Sequence, residues 1–126
     1  MYTGYFANLK EYHKHYLIPI SIALYTPKWF SGITYSKLAP SAKLLNDFKN
    51  GKHAGDTNYY TEVFNEQLSK LNPKECLEEL DKLTGDRISF SISTILLCYE
   101  KHGFCHRHLV AKWLRKEGIH CVEFQP

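Results

Sequence analysis

The sequence has no long apolar run, no dense cysteine framework and no dominant charge, and each absence removes a class of protein. The longest apolar stretches, around Tyr16 to Tyr25 and Ile92 to Tyr99, are interrupted or fall short of the roughly 18 to 20 residues a membrane helix needs, so no membrane partner is expected. Four cysteines, Cys76, Cys98, Cys105 and Cys121, do not reach the density of a disulfide scaffold. The opening Met1-Tyr2-Thr3-Gly4-Tyr5-Phe6 lacks the basic stretch and apolar run of a secretory signal. These features point to the cytoplasm, where thiols stay reduced, and all four cysteines are therefore expected to be free. A net charge of +3 permits an anionic ligand without demanding one, and Lys and Arg are interspersed with Asp and Glu, so no basic arm or stripe stands out.

What is present fits one compact domain: 126 residues, 44% of them hydrophobic, can build a real core. Tyr2 to Ala7 is short and extended in character, and Ile18 to Tyr25 places apolar residues at strand spacing. Between them Leu9 and Tyr12 stand at helical spacing after Asn8, enough for a short helix. From Thr26 to Pro40 the Pro and Gly residues break regular structure, and the aromatics Trp29, Phe30 and Tyr35 argue for a loop that folds over part of a site.

Three helices follow. Ser41 caps the first, with Leu44, Leu45 and Phe48 inward and Asn50-Gly51 at its end. Gly55-Asp56-Thr57 opens the second, which runs to Asn72-Pro73, and Pro73 opens the third, which stops at Gly85. Ile88, Phe90 and Ile92 then alternate with polar residues before Ile95-Leu96-Leu97-Cys98, an unbroken apolar run typical of a central strand covered on both faces. A helix over His106 to Lys116, stopped by Gly118, and a strand within Ile119 to Phe124 complete a β-α-β unit. The expected fold is a three-layer α/β domain with a mostly parallel sheet of about four strands.

The chemistry concentrates between Cys98 and His108. In open α/β sheets, ligands sit beyond the carboxyl ends of the strands, against helix N-termini whose free N–H groups carry partial positive charge. Such a first turn favours acidic residues, yet this one carries His106, Arg107 and His108. A bound anion removes that conflict, which makes Arg107 the favoured contact; an Arg107 pointing into water is the alternative. Cys105 at the same terminus is placed to ionise and act as a nucleophile, although simple burial also explains a cysteine there. Glu100 can serve as a general acid or base, or simply lie exposed. Cys98, Cys105 and the histidines His102, His106 and His108 also permit a zinc reading, but their spacing does not match the usual short cysteine pairs, so neither a metal nor another cofactor is expected. Trp29, Phe30, Tyr59 and Tyr60 can stack on a base or pack in the core.

Leu96-Leu97-Cys98-Tyr99-Glu100-Lys101, followed by Phe104-Cys105-His106-Arg107-His108-Leu109-Val110-Ala111-Lys112-Trp113-Leu114, closely resembles the family catalogued as domain of unknown function four-eight-eight. Further matching stretches are Tyr2 to Asn8, Ile20-Ser21-Ile22-Ala23, Pro27-Lys28-Trp29 and Leu38-Ala39-Pro40, so the likeness spans nearly the whole chain. Where many members carry Asp-x-Arg after the second strand, this chain has Ala23-Leu24-Tyr25. The resemblance implies a small α/β domain and supplies no reaction. Its motif makes Cys98, Glu100, Cys105, His106 and Arg107 the leading site residues; taken with the reading of the residues above, Cys105, Glu100 and His106 are the catalytic candidates, and Cys98, Arg107, His108, Lys28, Trp29, Asn8 and Tyr5 the ligand-binding ones.

Three functions compete. The first is a binding or catalytic domain for a phosphate-bearing ligand, a nucleotide or nucleic-acid component, held at the Cys-His-Arg helix terminus. The second is a non-catalytic interaction or regulatory module in which Cys-His-Arg braces the loop through backbone carbonyls. The third is a thiol-based redox protein using Cys98 and Cys105.

Overall fold

The computed structural model describes residues 1–87 and 92–126. Among the described residues five strands form one sheet: β1 (Tyr2–Tyr5), β2 (Ile18–Ser21), β3 (Ile33–Thr34), β4 (Thr94–Cys98) and β5 (Val122–Glu123). Their order is β3-β2-β4-β1-β5, and every pairing is parallel. The helices are α1 (Leu9–Lys14), α2 (Ala42–Lys49), α3 (Thr57–Ser69), α4 (Pro73–Leu83) and α5 (His106–Lys116). The α/β class and the parallel sheet agree with the sequence reading; the strand count is one higher. The extra strand, β3, lies inside the stretch read as an irregular loop. Two residues are too few to show a periodicity, and only the pairing of Ile20 with Ile33 and Ser21 with Thr34 makes them a strand.

Ends also moved. β1 stops at Tyr5, where Phe6–Asn8 turns into a 3-10 helix, and β2 stops at Ser21, short of the expected Tyr25. β4 and β5 are parallel as a β-α-β unit requires, but β1 lies between them. Ile88 and Phe90, read as the start of the central strand, fall outside the described residues.

The apolar run of β4 is explained by its place at the middle of the sheet. Ile95 and Leu97 face a cluster with Phe6, Tyr12, Leu17 and Phe30, whereas Leu96 faces a larger cluster built on Phe64, Leu68, Leu80, Val110 and Leu114. Alternate residues thus enter opposite cores, and each fully buried Ile or Leu contributes about 1.5–3 kcal/mol of burial. On the α1 side, Gly4 is required: a Cβ there would stand 2.4 Å from Tyr12 Oη. That close approach lets the Tyr12 hydroxyl accept a hydrogen bond from the Tyr5 N–H at 3.1 Å, fixing the end of β1.

The helix termini carry their signals where the sequence placed them. Ser41 and Asp56 accept from the N–H groups of Leu44 and Tyr59, and Asn72 accepts from Lys74 and Glu75 ahead of the α4 that Pro73 opens. Gly118, at φ +77°, follows the last turn of α5, a left-handed position that suits glycine. Because all strands run the same way, the carboxyl ends of β1, β2 and β4 meet at one edge. The N-terminus of α5 arrives there.

Candidate functional site at the carboxyl edge of the sheet

Cys98 is the last residue of β4 and Cys105 the N-cap of α5, and the two are joined by a disulfide. This corrects the expectation that all four cysteines are free; Cys76 and Cys121 are. Seven residues separate the bonded pair, and only the turn from strand end to helix start brings them together. Cys105 makes no side-chain cap on α5, so its sulfur is committed to the bond rather than to the helix N–H groups.

Among the described residues, each sulfur has a polar side chain beside it. Arg107 Nη1 lies 3.2 Å from Cys98 Sγ, and His106 Nδ1 lies 3.9 Å from Cys105 Sγ. His106 is buried and donates Nε2–H to the Ile22 carbonyl at 2.7 Å, which leaves Nδ1 as its lone-pair nitrogen. Burial drives its pKa down to about 4, outweighing the carbonyl contact, which acts in the opposite direction. At neutral pH the ring is therefore an uncharged base facing a sulfur.

Arg107 is 1% exposed. Its Nε and Nη2 form a two-pronged ion pair with Glu123 of β5, both contacts at 3.0 Å, and its remaining donors reach Cys98 Sγ and the carbonyls of Glu100 and Lys101. All five guanidinium N–H groups thus have protein acceptors. The cation also lies 5.9 Å from the centre of the Tyr5 ring. Glu123 is itself held by Thr3 Oγ1 at 2.7 Å. An anion at this helix terminus would accordingly meet backbone N–H groups, the guanidinium being occupied. Binding of backbone carbonyls by His106 and Arg107 is the bracing arrangement the interaction-module reading anticipates.

Above the disulfide opens a cavity of about 160 Å³, lined by Cys98, Glu100, Cys105 and His106 together with the rings of Tyr25, Phe48, Tyr60, Tyr99 and Phe104. Phe104 packs on both Phe48 and Tyr60, with ring centres 5.7 and 5.0 Å away, and the Tyr99 hydroxyl donates to the Tyr25 carbonyl across the mouth. Ala23 and Leu24 line it as well, so the stretch that stands in place of the family's Asp-x-Arg forms one apolar wall. Exposed Lys49, at the end of α2, is on the rim. Burial raises the Tyr60 phenol above its usual range, keeping it protonated.

The expected site residues divide into two groups. Cys98, Glu100, Cys105 and His106 converge on the cavity. Tyr5 and Arg107 lie behind it, on the side of the sheet that carries β5, and Asn8 is half-buried in the first turn of the chain. His108 on α5 is exposed, as are Lys28 and Trp29, whose ring lies 6.2 Å from that of Phe6, so the 26–40 loop reaches the cavity only at its ends, through Pro40 and the preceding Tyr25. Glu123 was missed because nothing local marks it; its partner lies sixteen residues back. Phe48 and Phe104 were missed as site residues because an apolar ring reads as core from sequence. A family model described as the active DUF488-N3 subclade matches residues 11–118. No curated protein and no solved structure matches the chain.

Proposed function

The chain belongs to the DUF488 family, and we propose that within this fold it carries out thiol–disulfide chemistry at Cys98 and Cys105. The observation that carries this reading is the pair itself: two bonded sulfurs lining a cavity, one against a guanidinium and the other against an uncharged imidazole nitrogen. Both residues are buried, Cys105 slightly less than Cys98, at 4% against 1% exposure, and the Cys98 sulfur is the one in contact with the guanidinium. An incoming thiolate attacks Cys105 Sγ, the sulfur–sulfur bond breaks, and its electron pair leaves on Cys98 as a thiolate that Arg107 stabilises. A second thiol then attacks the mixed disulfide and releases Cys105, whose sulfur takes up that thiol's proton with His106 Nδ1 as the nearby relay. In a cytoplasmic setting the resting form is the dithiol. The experiment is differential alkylation with mass spectrometry across a graded thiol–disulfide buffer. Cys98 and Cys105 should oxidise together as one two-electron couple while Cys76 and Cys121 stay reduced; independent behaviour of the two sulfurs refutes the reading.

A second reading rests on the aromatic walls. Five rings surround a cavity that abuts the uncapped N-terminus of α5, with Lys49 at its rim, and this combination suits a nucleobase between the rings and a phosphate toward the N–H groups and Lys49. Thermal-shift screening with nucleotides tests it. A nucleotide should raise the melting temperature of the unaltered chain and do so less for Lys49→Ala; equal shifts, or none, count against it.

A further inference from the structure

Cys98 Sγ, Cys105 Sγ and His106 Nδ1 lie within 4.8 Å of one another, and all three residues are buried and line the same cavity. His106 holds its Nε2–H on the Ile22 carbonyl and turns the other nitrogen toward the sulfurs. That is how metal-bound histidines are commonly fixed: an outer carbonyl sets the tautomer and the ring orientation. Arg107 Nη1 supplies the matching outer contact to Cys98 Sγ.

One donor spacing already suits a tetrahedral ion, and reduction frees the two bonded sulfurs to reach the other. Sulfur at about 2.3 Å and nitrogen at about 2.0 Å from a zinc ion place neighbouring donors roughly 3.5–3.8 Å apart. His106 Nδ1 and Cys105 Sγ are already separated by 3.9 Å. The Cα atoms of Cys98 and Cys105 stand 7.4 Å apart, wider than the ~4.4–6.8 Å of most disulfides, so two free thiolates have room to part around an ion by side-chain rotation.

We propose that the reduced chain binds one zinc ion through Cys98 Sγ, Cys105 Sγ and His106 Nδ1, leaving a fourth position open to the cavity. The inference rests on the reading of Cys98 and Cys105 as a reducible pair. Two thiolates and an imidazole select a soft or borderline divalent cation over magnesium or calcium. Three protein ligands and an open position are the arrangement of a zinc ion that handles water or substrate. Binding replaces two S–H bonds with metal–sulfur bonds and releases two protons, without any change in oxidation state. Sequence spacing hides such a site because one ligand ends a strand and the other two start a helix.

The test uses the full chain, reduced with a phosphine, freed of metal and titrated with cobalt(II) as a coloured substitute for zinc. One cobalt per chain should bind, with near-ultraviolet thiolate-to-cobalt absorption and the intense visible bands of a tetrahedral ion, and one equivalent of zinc should remove both. Cys105→Ser and His106→Ala should each weaken zinc binding by about 100-fold or more, since loss of an outer contact alone costs about 10–100-fold. The double variant Cys76→Ser, Cys121→Ser should leave the spectrum unchanged. Absence of the thiolate band in the reduced, folded chain overturns the proposal, as does a band of undiminished intensity and affinity in Cys105→Ser. Zinc protection of Cys98 and Cys105 from alkylation in the unaltered chain gives the same answer if a variant fails to fold, and undiminished labelling overturns it. A pair that cycles between dithiol and disulfide without giving the cobalt band refutes the zinc site and leaves the thiol–disulfide reading standing. A cobalt band from a pair that never oxidises does the reverse.

Discussion

Cys76 and Cys121 are as buried as Cys98 and Cys105, yet the two pairs occupy chemically opposite regions. Cys76 and Cys121 belong to the helix-side core, where burial pushes both thiols up, Cys121 to about 11, and holds them protonated. Cys98 and Cys105 sit at the sheet's carboxyl edge, against Arg107 and His106 and beneath a cavity. Burial alone therefore does not decide what a cysteine does. At Cys76 and Cys121 burial outweighs the Tyr35 hydroxyl and the more distant cations Lys37 and Arg115, whereas Cys98 Sγ has a guanidinium in direct contact.

The largest expected effect comes from removing the group that makes the edge different. Arg107→Ala takes the guanidinium from two carbonyls and from the Glu123 carboxylate, which keeps only the Thr3 hydroxyl, and breaking a buried ion pair costs about 3–5 kcal/mol. Glu123 retains some contact with water, so the lower end of that range is expected from urea unfolding. A loss under about 1 kcal/mol, the range of exposed pairs, would mean that Arg107 does not hold the edge together.

Next in size is a pH effect confined to the same edge. His106 titrates near 6.5 when unfolded and near 4 in the fold, so between those values the unfolded chain binds the extra proton. Its contribution is complete above about pH 7, falls as pH drops through 6.5 toward 4, and flattens below, by on the order of 3 kcal/mol. Urea midpoints measured from pH 7.5 to 4 should show the decline, and His106→Gln should remove this component of it. A slope unchanged in the variant would place the titration elsewhere.

The smallest effect belongs to the other region. Cys121→Ser puts a hydroxyl into the helix-side core and should cost about 1–3 kcal/mol in stability. The alkylation pattern of Cys98 and Cys105 should not move. A change there would show that the two regions are coupled.

Much of this comparison was legible along the chain. The β4 run, the caps at Ser41, Asp56 and Asn72 and the glycine after α5 are local signals, each readable from a few neighbouring residues. The segment from Cys98 to Arg107 was recognisable because a basic first turn conflicts with the helix dipole. What that turn does was not legible. The side chain expected to face an anion points inward, since Glu123, the carbonyls of Glu100 and Lys101 and the Cys98 sulfur, distant or unremarkable in sequence, offer it five acceptors. β3 escaped notice for the same reason, its two residues being defined by a partner strand rather than by their own pattern.

The sequence by itself determined the α/β class, the central strand and the position of a polar cluster at one helix terminus, because periodicity, capping and turn chemistry act within a few residues. Only the tertiary structure decided that Cys98 meets Cys105, that Arg107 meets Glu123 and that five aromatic rings close over the sulfurs. Those contacts depend on the parallel sheet bringing several strand ends to one edge, and no local stretch of chain encodes that convergence.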